Sequence, residues 1–502
     1  LRHAAYSSQG LPADSSPGAR LISAGSREQG TPPEGCYGAT EIESMYGVVN
    51  APPANATVGI VDFGQDPTIA ADMATYRSKF GLPSCTVASG CFTELLQNDT
   101  VPVASKGSIG EISLDVEAVS AACPRCHITL MDSVDSSNTN VFPAIQALAR
   151  SGVHYISMSF SFGEASFVSN EAHFLSQPDT IYVAASGDNG FDDGSHRCGG
   201  TPVCYPASAA GVIAAGGIRV TQDASNYYAS AWKGAGSGCA KFATQPVAQS
   251  AAVGSLCGTT RAVADVAALA DPQTGAAIYS SLDGWRVYGG TSLATPLITA
   301  LFAQAGNDSD PYVLYPNSAA HPDLALDVTT GTTTGCDGTA LCAAGTGWDG
   351  PTGIGTPLSP QLFATAGSPT VTLTPLQGIA GTVALGAAPT GMPFGASGGS
   401  GRFQWTATGV PAGVSVDPTT GAWSGKPTVA GVYPVVFTAT DASDSTKSGS
   451  ATFTLTVSAP TFDLRTASGG DPAAVLALKG YPVAMAPATA HGATSALTWS
   501  AT

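Results

Sequence analysis

Short apolar runs rich in β-branched residues alternate with helical stretches over the first half of the chain, and this pattern constrains the fold more than any other. The run at 56–62 predicts a first strand, and the stretch 68–80 predicts a helix after it. The alternation continues with strands at 127–134, 155–162, 181–188 and 211–218 and helices at 110–122, 141–151 and 166–177. Such alternation predicts an α/β fold in which helices cover a parallel sheet.

The character of the sequence changes near residue 366, where Gly, Pro, Thr and Val in short alternating runs replace the helical pattern. The runs at 433–442 and 450–458 predict strands of a small β-sandwich. The segments 392–408 and 483–502 align as repeats, and both end in Trp, a hydroxyl-bearing residue, Ala and Thr. Since half a sandwich cannot bury its inner face, we expect the natural polypeptide to continue or this tail to pack elsewhere.

These changes divide the 502 residues into four predicted regions, in agreement with a chain too long for one hydrophobic core. An arm rich in Gly, Ser, Pro and Ala covers residues 1–34, and its lack of periodicity predicts a flexible segment. The α/β domain is predicted to cover 35–366 and the β-sandwich 367–459. Residues 460–502 are predicted to begin a second, truncated β repeat.

The balance of charge argues against nucleic acid as a partner. The chain has 19 Lys and Arg against 36 Asp and Glu, a formal net charge of -17, and no basic cluster. No segment reaches the roughly 18 consecutive apolar residues of a membrane span. The first residue is Leu1 rather than Met, so we expect a processed or trimmed, soluble chain.

Most of the 11 cysteines fall into near neighbours along the chain: Cys85 and Cys91, Cys123 and Cys126, Cys198 and Cys204, Cys239 and Cys257, Cys336 and Cys342. Such pairs indicate disulfides in an oxidising compartment, because no two Cys-x-x-Cys motifs combine into a four-ligand zinc set. Cys36 falls outside these pairs. The Gly- and Ser-rich stretch 229–260 is predicted to form loops held by Cys239 and Cys257.

A candidate nucleophile lies in Gly-Gly-Thr-Ser at 289–292, which precedes the apolar run 297–305 and predicts a loop that becomes a buried helix. Two glycines permit a sharp turn, and Thr291 or Ser292 can cap the first helical turn. Pro296 is best tolerated near that first turn. A serine hydroxyl at the N-terminus of a buried helix suits attack on a carbonyl, and the simpler alternative is a glycine turn with a capping serine.

Two carboxylates lie four residues apart on the predicted helix 110–122, so Glu111 and Asp115 project from one face while Glu117 points away. Neighbouring carboxylates repel each other and are expected together where they share a proton or serve chemistry. One of them could be the base that Ser292 needs. The alternative is a solvated acidic face, which the surrounding apolar residues disfavour.

Asp188 is a third candidate carboxylate, because it follows a strongly apolar strand within Ser-Gly-Asp-Asn-Gly at 186–190. Parallel α/β sheets place ligands at the carboxyl ends of their strands, which is where this residue is predicted to lie. An ordinary turn aspartate is the alternative interpretation.

Three motifs together resemble the sedolisins, or serine-carboxyl peptidases: Glu-x-x-Leu-Asp at 111–115, Ser-Gly-Asp-x-Gly at 186–190 and Gly-Thr-Ser at 290–292, in this order and spacing. The resemblance covers about residues 35–366 and implies a subtilisin-like parallel sheet flanked by helices. The repeats that follow resemble immunoglobulin-like modules of bacterial secreted and surface proteins. The expected architecture is therefore α/β followed by an all-β immunoglobulin-like sandwich.

The resemblance also implies roles for four residues. Ser292 would be the nucleophile, Glu111 its general base, Asp115 the residue that holds and tunes Glu111, and Asp188 the oxyanion partner. A carboxylate coupled to a second one can accept the serine proton and return it to the leaving amine. A protonated aspartate can donate a hydrogen bond to the oxyanion.

One structural calcium ion is a further implication of the resemblance, at the segments 325–331 and 345–355. Calcium prefers several oxygen ligands, including carboxylates and backbone carbonyls. The implied ligands are Asp327, Val328, Gly345, Gly347 and Asp349. A plain glycine turn is the alternative.

A histidine-based subtilisin triad is the first alternative for the chemistry. It would use Asp62, which ends the first predicted strand, together with a histidine followed by Gly and Thr or Ser. No histidine in the chain has that sequence context, so Asp62 is expected to be structural.

A catalytically inactive secreted protein, for adhesion or carbohydrate binding, is the second alternative, because fold analogy alone does not establish activity. A decayed peptidase would be expected to have lost one of the four residues, and all four are present. We therefore expect a secreted, extracellular endopeptidase, active at acidic pH on protein or peptide substrates as a monomer. Its β repeats could contact a surface or a polysaccharide.

Overall fold

The computed structural model describes residues 6–7, 35–48, 56–164, 172–192, 198, 201–223, 226–365, 371–375, 381–389, 393–397, 403–441, 445 and 447–459. The predicted arm 1–34, apart from 6–7, and the predicted truncated repeat 460–502 lie mostly or wholly outside these described residues. The predicted domain boundary at 366 also lies outside them and stays a prediction.

Helices account for much of the first 365 residues. Those in the described ranges are α1 (Ala39–Met45), α2 (Ile69–Lys79), α3 (Lys106–Ala122), α4 (Asn138–Arg150), α5 (Val247–Val253), α6 (Thr291–Ala305) and α7 (Leu314–Ala320), with 3-10 turns at Ala172–Leu175 and Pro360–Phe363. None of the described helices has the length and apolar character that crossing a membrane requires.

Strands occur throughout the chain. Those of the first 365 residues are β1 (Tyr6–Ser7), β2 (Thr57–Phe63), β3 (Phe92–Leu96), β4 (His127–Ser133), β5 (Tyr155–Met158), β6 (Phe162–Gly163), β7 (Ile181–Ala185), β8 (Cys204–Tyr205), β9 (Val212–Asp223), β10 (Asn226–Ala231), β11 (Gly238–Thr244), β12 (Thr260–Val263), β13 (Val266–Leu269), β14 (Ala276–Ser280), β15 (Gly284–Gly289), β16 (Ala325–Leu326) and β17 (Thr356–Pro357). Those that follow are β18 (Thr372–Pro375), β19 (Thr382–Ala384), β20 (Phe394–Ser397), β21 (Phe403–Thr408), β22 (Val414–Val416), β23 (Trp423–Gly425), β24 (Gly431–Asp441) and β25 (Ser448–Ser458).

An eight-stranded sheet forms the centre of the α/β part. Its strand order is β10-β9-β7-β5-β2-β4-β3, and β13 also pairs with β9. All of these neighbours run parallel except β10 and β9, which are antiparallel. Because parallel strands end at the same edge of a sheet, the residues that follow β2, β5 and β7 lie close together. The predicted parallel sheet flanked by helices is confirmed.

Strand β2 shows why this sheet is covered on both faces. Val58 and Ile60 pack into one core with residues of α3 and α6, whereas Val61 and Phe63 pack into a second core with residues of α4. Full burial of one such aliphatic side chain contributes about 1.5–3 kcal/mol. Helices α3 and α6, which carry the candidate site residues, therefore lie on the same face of the sheet.

Two predicted helices differ from the structure at their ends. Helix α3 begins at Lys106 rather than near 110, because Ser105 Oγ accepts a hydrogen bond from the Ser108 N–H at 3.2 Å and caps the helix. The helix predicted at 166–177 lies partly outside the described residues, and its described part contains the 3-10 turn Ala172–Leu175.

The prediction of loops over 229–260 is wrong. Strands β11 and β12 pair antiparallel with Cys239 opposite Ala262, and helix α5 lies between them in the chain. The alternation of apolar and polar residues along β11 is weak, because its core-facing residues are the small Ala240 and Ala243 in a stretch rich in glycine and serine. Alanine gives a weak periodic signal because it buries little apolar area.

All five predicted cysteine pairs are disulfides in the structure: Cys85–Cys91, Cys123–Cys126, Cys198–Cys204, Cys239–Cys257 and Cys336–Cys342. Their sequence separations run from 3 to 18 residues, so each closes a short loop. A disulfide stabilises such a loop chiefly by restricting the unfolded chain.

The described residues after 371 form β-structure. Strands β19, β25, β24 and β21 form a four-stranded sheet in that order, and β18 pairs with β20 and β22 with β23. Trp405, Val435 and Phe437 are buried in the core of this region, where the Trp423 ring packs edge-on against Phe437 at 5.1 Å between centroids. The predicted all-β region at the C-terminal side is confirmed.

Candidate active site

Helix α6 begins immediately before Ser292, which is its second residue. The chain turns at Gly290, whose φ of 103° lies in the region that favours glycine. A Cβ atom at Gly289 would lie 2.4 Å from the Ala270 carbonyl oxygen, so a side chain does not fit there. Gly290 is the N-cap and has no side chain with which to cap the helix. The predicted cap by Thr291 or Ser292 is therefore wrong, because both residues lie inside the first turn.

Asp188 binds the start of α6 instead. Its Oδ1 accepts hydrogen bonds from the Thr291 N–H at 2.7 Å and from Thr291 Oγ1 at 2.9 Å. Thr291 Oγ1 in turn accepts a hydrogen bond from the Gly187 N–H at 3.1 Å. The first N–H groups of a helix lack partners within the helix and attract negative charge. These contacts hold the turn after β7 against the residue that precedes Ser292.

The backbone of Ser292 is bound by Ser159, which follows β5. In an α-helix residue 296 would donate to the carbonyl of residue 292, and Pro296 has no N–H to donate. Ser159 Oγ lies 3.2 Å from the Ser292 carbonyl oxygen, and its one proton is shared between this oxygen and Asp115 Oδ1. Ser292 Oγ lies 3.5 Å from the Ser159 carbonyl oxygen. The segment after β5 and the start of α6 are thus held together at both residues.

Glu111 and Asp115 lie one turn apart on α3, and both side chains are fully buried. Their burial excludes the alternative of a solvated acidic face. Asp115 Oδ1 lies 2.9 Å from Ser159 Oγ, so one hydroxyl lies between Asp115 and the Ser292 carbonyl. Burial raises the pKa of Asp115 well above its usual range, and the hydrogen bond with Ser159 opposes that rise.

Asp62 also belongs to this cluster of carboxyl groups, although the sequence predicted a structural role for it. It lies near the end of β2 and is 1% exposed. Burial raises the pKa of Asp62 well above its usual range, and the charges of Asp115, Glu111 and Asp132 raise it further. The sequence signal was its position two residues after Ile60, on the strand face that packs against α3.

The structure therefore brings the four predicted residues to one place from three elements. Asp115 reaches the Ser292 backbone through Ser159, Asp188 contacts the neighbouring Thr291, and Glu111 lies one turn from Asp115. A hydroxyl at a helix start, a buried carboxyl pair and a further carboxyl bound to the preceding residue, Thr291, are groups that acyl transfer uses.

The predicted calcium ligands lie in two neighbouring loops. Asp327 Oδ2 accepts a hydrogen bond from the Gly347 N–H at 2.9 Å, and Asp349 Oδ2 accepts one from the Gly345 N–H at 3.1 Å. Val328 is buried. Burial raises the pKa of Asp349 to about 7, and the charge of Asp327 contributes to the rise. A carboxylate whose pKa is raised by burial and by a neighbouring negative charge fits a hard divalent cation, which would relieve the repulsion.

Comparisons with known proteins identify relatives for both parts of the chain. The sequence profile of the Subtilase family matches residues 109–321, and the profile of the Putative Ig domain family matches 354–458. Kumamolisin from Bacillus sp. (strain MN-32) is 30% identical over 285 residues, which are 51% of this chain and 50% of kumamolisin. Sedolisin from Pseudomonas sp. (strain 101) is 28% identical over 357 residues, which are 63% of this chain and 59% of sedolisin.

A solved structure shows the same fold. It is the structure of Pseudomonas sedolisin, a serine-carboxyl proteinase, complexed with two molecules of pseudo-iodotyrostatin. Its TM-score with this chain is 0.58, and the sequences are 24% identical over 64% of this chain and 95% of the other. The present chain spans between half and three fifths of the length of kumamolisin and sedolisin. The resemblance that the three motifs indicated is confirmed: the chain is similar to sedolisin and kumamolisin, has a subtilisin-like fold, and carries a match to an immunoglobulin-like domain on its C-terminal side.

Proposed function

We propose that the chain is a serine-type endopeptidase of the serine-carboxyl kind, which hydrolyses peptide bonds in proteins through an acyl-enzyme on Ser292. One observation carries this proposal: Ser159 lies between the buried Asp115 and the backbone of Ser292, while Asp188 binds the adjacent Thr291. The similarity to sedolisin, a serine-carboxyl proteinase, supports the same class of reaction here.

The proposed acylation step begins when Glu111 accepts the Ser292 Oγ proton as Oγ attacks the substrate carbonyl carbon. Asp115 shares protons with Glu111 and so tunes its basicity. The carbonyl electron pair moves to the oxygen, and a protonated Asp188 donates a hydrogen bond to that oxyanion. Glu111 then gives the proton to the leaving amine as the C–N bond breaks. Water then attacks the acyl carbonyl carbon and gives a proton to Glu111. Glu111 returns this proton to Ser292 Oγ as the ester bond breaks.

Acidic conditions suit this set of groups. A histidine base, with an ordinary pKa of about 6.5, loses its function in acid, whereas a carboxylate base stays usable about two units lower. Asp188 can donate to an oxyanion only while it holds its proton. Activity therefore requires Glu111 partly ionised and Asp188 protonated, which gives a bell-shaped pH profile on the acid side of neutrality.

We further propose one structural calcium ion in the loops that contain Asp327 and Asp349. When bound, such an ion supplies positive charge between the buried carboxylate of Asp349 and the exposed carboxylate of Asp327. Both side chains are held in place by loop amides, from Gly347 and Gly345 respectively. The remaining proposed ligand is the backbone carbonyl of Val328, with those of the two glycines.

The proposed setting is extracellular. Five disulfides support secretion, because such bonds persist in oxidising environments. The proposed substrates are proteins or peptides, acted on by a monomer, and the immunoglobulin-like part would space or tether the peptidase at a surface or polysaccharide.

Incubation of the full chain with a peptide library from about pH 3 to about pH 7 tests the proposed activity. We expect cleavage by the wild-type chain in the acidic part of this range and none by Ser292→Ala. Cleavage by neither protein at any pH would favour the inactive adhesion or carbohydrate-binding scaffold. Comparison of the cleaved sequences would also give the residue preference on each side of the scissile bond.

A further inference from the structure

The loop of residues 332–343, called the disulfide loop below, is closed by Cys336–Cys342 and contacts the turn 186–192, which contains Asp188. Most residues of this loop are exposed, so apolar burial contributes little to its shape. Backbone hydrogen bonds and the cross-link must fix its conformation instead. A group that stabilises an oxyanion must lie within about 0.5 Å of its productive position, so whatever holds the turn bears on catalysis.

Thr334 makes the contact between the disulfide loop and that turn. Its carbonyl oxygen accepts a hydrogen bond from the Phe191 N–H at 2.9 Å. Gly190 has a φ of 86°, and a Cβ atom there would lie 2.4 Å from the same carbonyl oxygen. A Cβ atom at Gly335 would lie 3.3 Å from the Phe191 carbonyl oxygen. The two backbones therefore approach as closely as glycine permits.

The disulfide loop also binds a second segment that holds the turn, 232–237 between β10 and β11. The Gly190 N–H donates to the Gly234 carbonyl oxygen at 3.0 Å, which joins the turn to this segment. The Thr334 N–H donates to the Lys233 carbonyl oxygen at 2.7 Å. Thr334 therefore connects the turn and the segment through both of its backbone groups.

The disulfide fixes the residue that precedes Thr334. The Cys342 carbonyl oxygen accepts hydrogen bonds from the Thr333 N–H at 2.9 Å and from Thr333 Oγ1 at 3.3 Å. Cys342 and Thr333 are both buried, although most of the loop is exposed. Exposed loops open locally at little cost in free energy, and a cross-link from Cys342 to Cys336 restricts such opening.

We propose that the disulfide loop is a positioning element of the active site: it fixes the turn 186–192 and thereby holds the Asp188 carboxyl group beside the first residue of α6. The inference rests on the proposed function for the oxyanion role of Asp188. No residue of the loop takes part in the proposed reaction, so Thr334, Cys336 and Cys342 are positioning residues. Thr334 acts through its backbone, and the loop depends on the cysteines for its shape.

A role in calcium binding alone is the competing explanation, because the disulfide loop connects the two segments of the proposed calcium site. The Ala344 N–H donates to the Gly331 carbonyl oxygen at 3.0 Å, and the Gly350 N–H donates to the Ala340 carbonyl oxygen at 2.7 Å. A loop that served only calcium would, when opened, leave catalysis unchanged in an excess of the ion. A positioning loop would lower kcat under the same conditions.

The test is the double substitution Cys336→Ser and Cys342→Ser in the full chain, with calcium in excess. We expect the backbone amides of 186–192 to exchange with deuterated solvent faster than in the wild-type chain. Because an oxyanion donor acts in the transition state, kcat should fall by about tenfold or more while KM changes by less than about twofold.

The substitution of Cys85 and Cys91 by serine is the matched control. This disulfide has the same sequence separation of 6 residues, and its loop binds β4 through the Cys91 carbonyl oxygen and the Ile128 N–H at 2.8 Å. We expect the control to have a lower Tm but wild-type kcat and wild-type exchange in the turn.

Gly335→Ala is the second variant, in case the serine variant does not fold. It keeps the disulfide and places a methyl group near the Phe191 carbonyl oxygen at a φ of 79°, which disfavours a side chain. We expect the same fall in kcat and the same faster exchange. Each loop variant is also combined with Asp188→Ala. Without the carboxyl group the loop has nothing to position, so the loop substitution should then lower kcat by less than about twofold further.

Two results would overturn the inference. One is unchanged kcat and unchanged exchange of the turn in both loop variants. The other is a loss of kcat that is equally large with Asp188 and with Asp188→Ala, since the loop would then act by another route. Failure of the wild-type chain to hydrolyse peptides at any pH would instead overturn the proposed function, and the exchange measurement would still decide whether the loop holds the turn.

Discussion

At the scale of single residues, the proposed chemistry depends on which buried carboxyl groups hold protons. Asp115 and Asp62 both have raised pKa values because they are buried, and both lie beside Glu111. Several negative charges cannot be accommodated together in such a site. If its neighbours keep their protons, Glu111 can be the one ionised group and act as a base at acidic pH.

Asp188→Asn tests the oxyanion role of Asp188. An aspartic acid donates a hydrogen bond only while protonated, whereas the amide of asparagine donates at any pH. If the variant keeps measurable activity, we expect it to lose less of that activity than the wild-type chain as pH rises toward neutral. The measurement is kcat/KM against pH for both proteins.

Two results would contradict this role. One is an alkaline limb in Asp188→Asn that matches the wild-type limb. The other is a wild-type optimum above about pH 7, since a protonated aspartate is not available there without a large rise in its pKa. A change in unfolding temperature alone would show only that the contacts of Asp188 with Thr291 matter for the fold.

The sequence was enough to propose Ser292, Glu111, Asp115 and Asp188 because their motifs are local and ordered along the chain. Asp62 was assigned a structural role for a physical reason: its proximity to α3 depends on strand register and helix packing, which no local pattern encodes. An acidic residue on the core-facing side of an apolar strand was the available signal.

At the scale of elements, Ser159 connects three of them. Its hydroxyl reaches Asp115 on α3 at 2.9 Å and the Ser292 carbonyl on α6 at 3.2 Å, from the segment that follows β5. The Ser292 carbonyl depends on this contact, because Pro296 has no N–H to donate to it within the helix. A buried acceptor that loses its donor costs about 1–3 kcal/mol.

Ser159→Ala should therefore lower the free energy of unfolding by about 1–3 kcal/mol, measured by chemical denaturation. It should also lower kcat more than it raises KM, because the position of Asp115 changes while substrate contacts remain. Ser157→Ala is a matched control: this serine is buried on the same face two residues earlier, and its hydroxyl has no hydrogen-bond partner among the described residues. Equal losses in both variants would contradict a special role for Ser159.

The long buried elements were the easiest to predict. Helix α6 and strand β2 carry continuous or strictly periodic apolar residues, and their predicted positions agree with the structure to within a few residues. The antiparallel pair β11 and β12 was missed because its pattern rests on alanines and on pairing between distant residues. Hydrophobic periodicity shows which face of an element is apolar but not which strand it pairs with. The long buried elements could therefore be predicted, whereas the pairing of β11 with β12 could not.

At the scale of the whole molecule, calcium is predicted to stabilise the chain. An ion that binds only the folded state raises stability by mass action, so removal with a chelator should lower Tm. Because metal binding requires an ionised ligand and Asp349 has a pKa raised to about 7 without metal, the calcium-dependent gain in Tm should increase from about pH 5 to about pH 7. Asp349→Asn should abolish most of the gain.

Asp337→Asn, at an exposed aspartate in the Cys336–Cys342 loop, controls for unspecific effects of charge and should keep the full calcium response. A Tm that is the same with calcium and with chelator at every pH would contradict the proposed calcium site. So would a response that survives the loss of both Asp327 and Asp349.

Peptide hydrolysis by Ser292→Ala at acidic pH is the most direct test of the proposed peptidase. The substitution removes the nucleophile, and the hydroxyl makes one long contact, 3.5 Å from the Ser159 carbonyl oxygen, so little stability should be lost. We expect a folded variant, with wild-type circular dichroism and Tm, whose kcat falls by about 10⁴ or more. A folded Ser292→Ala protein that cleaves peptides at the wild-type rate would show that Ser292 is not the nucleophile.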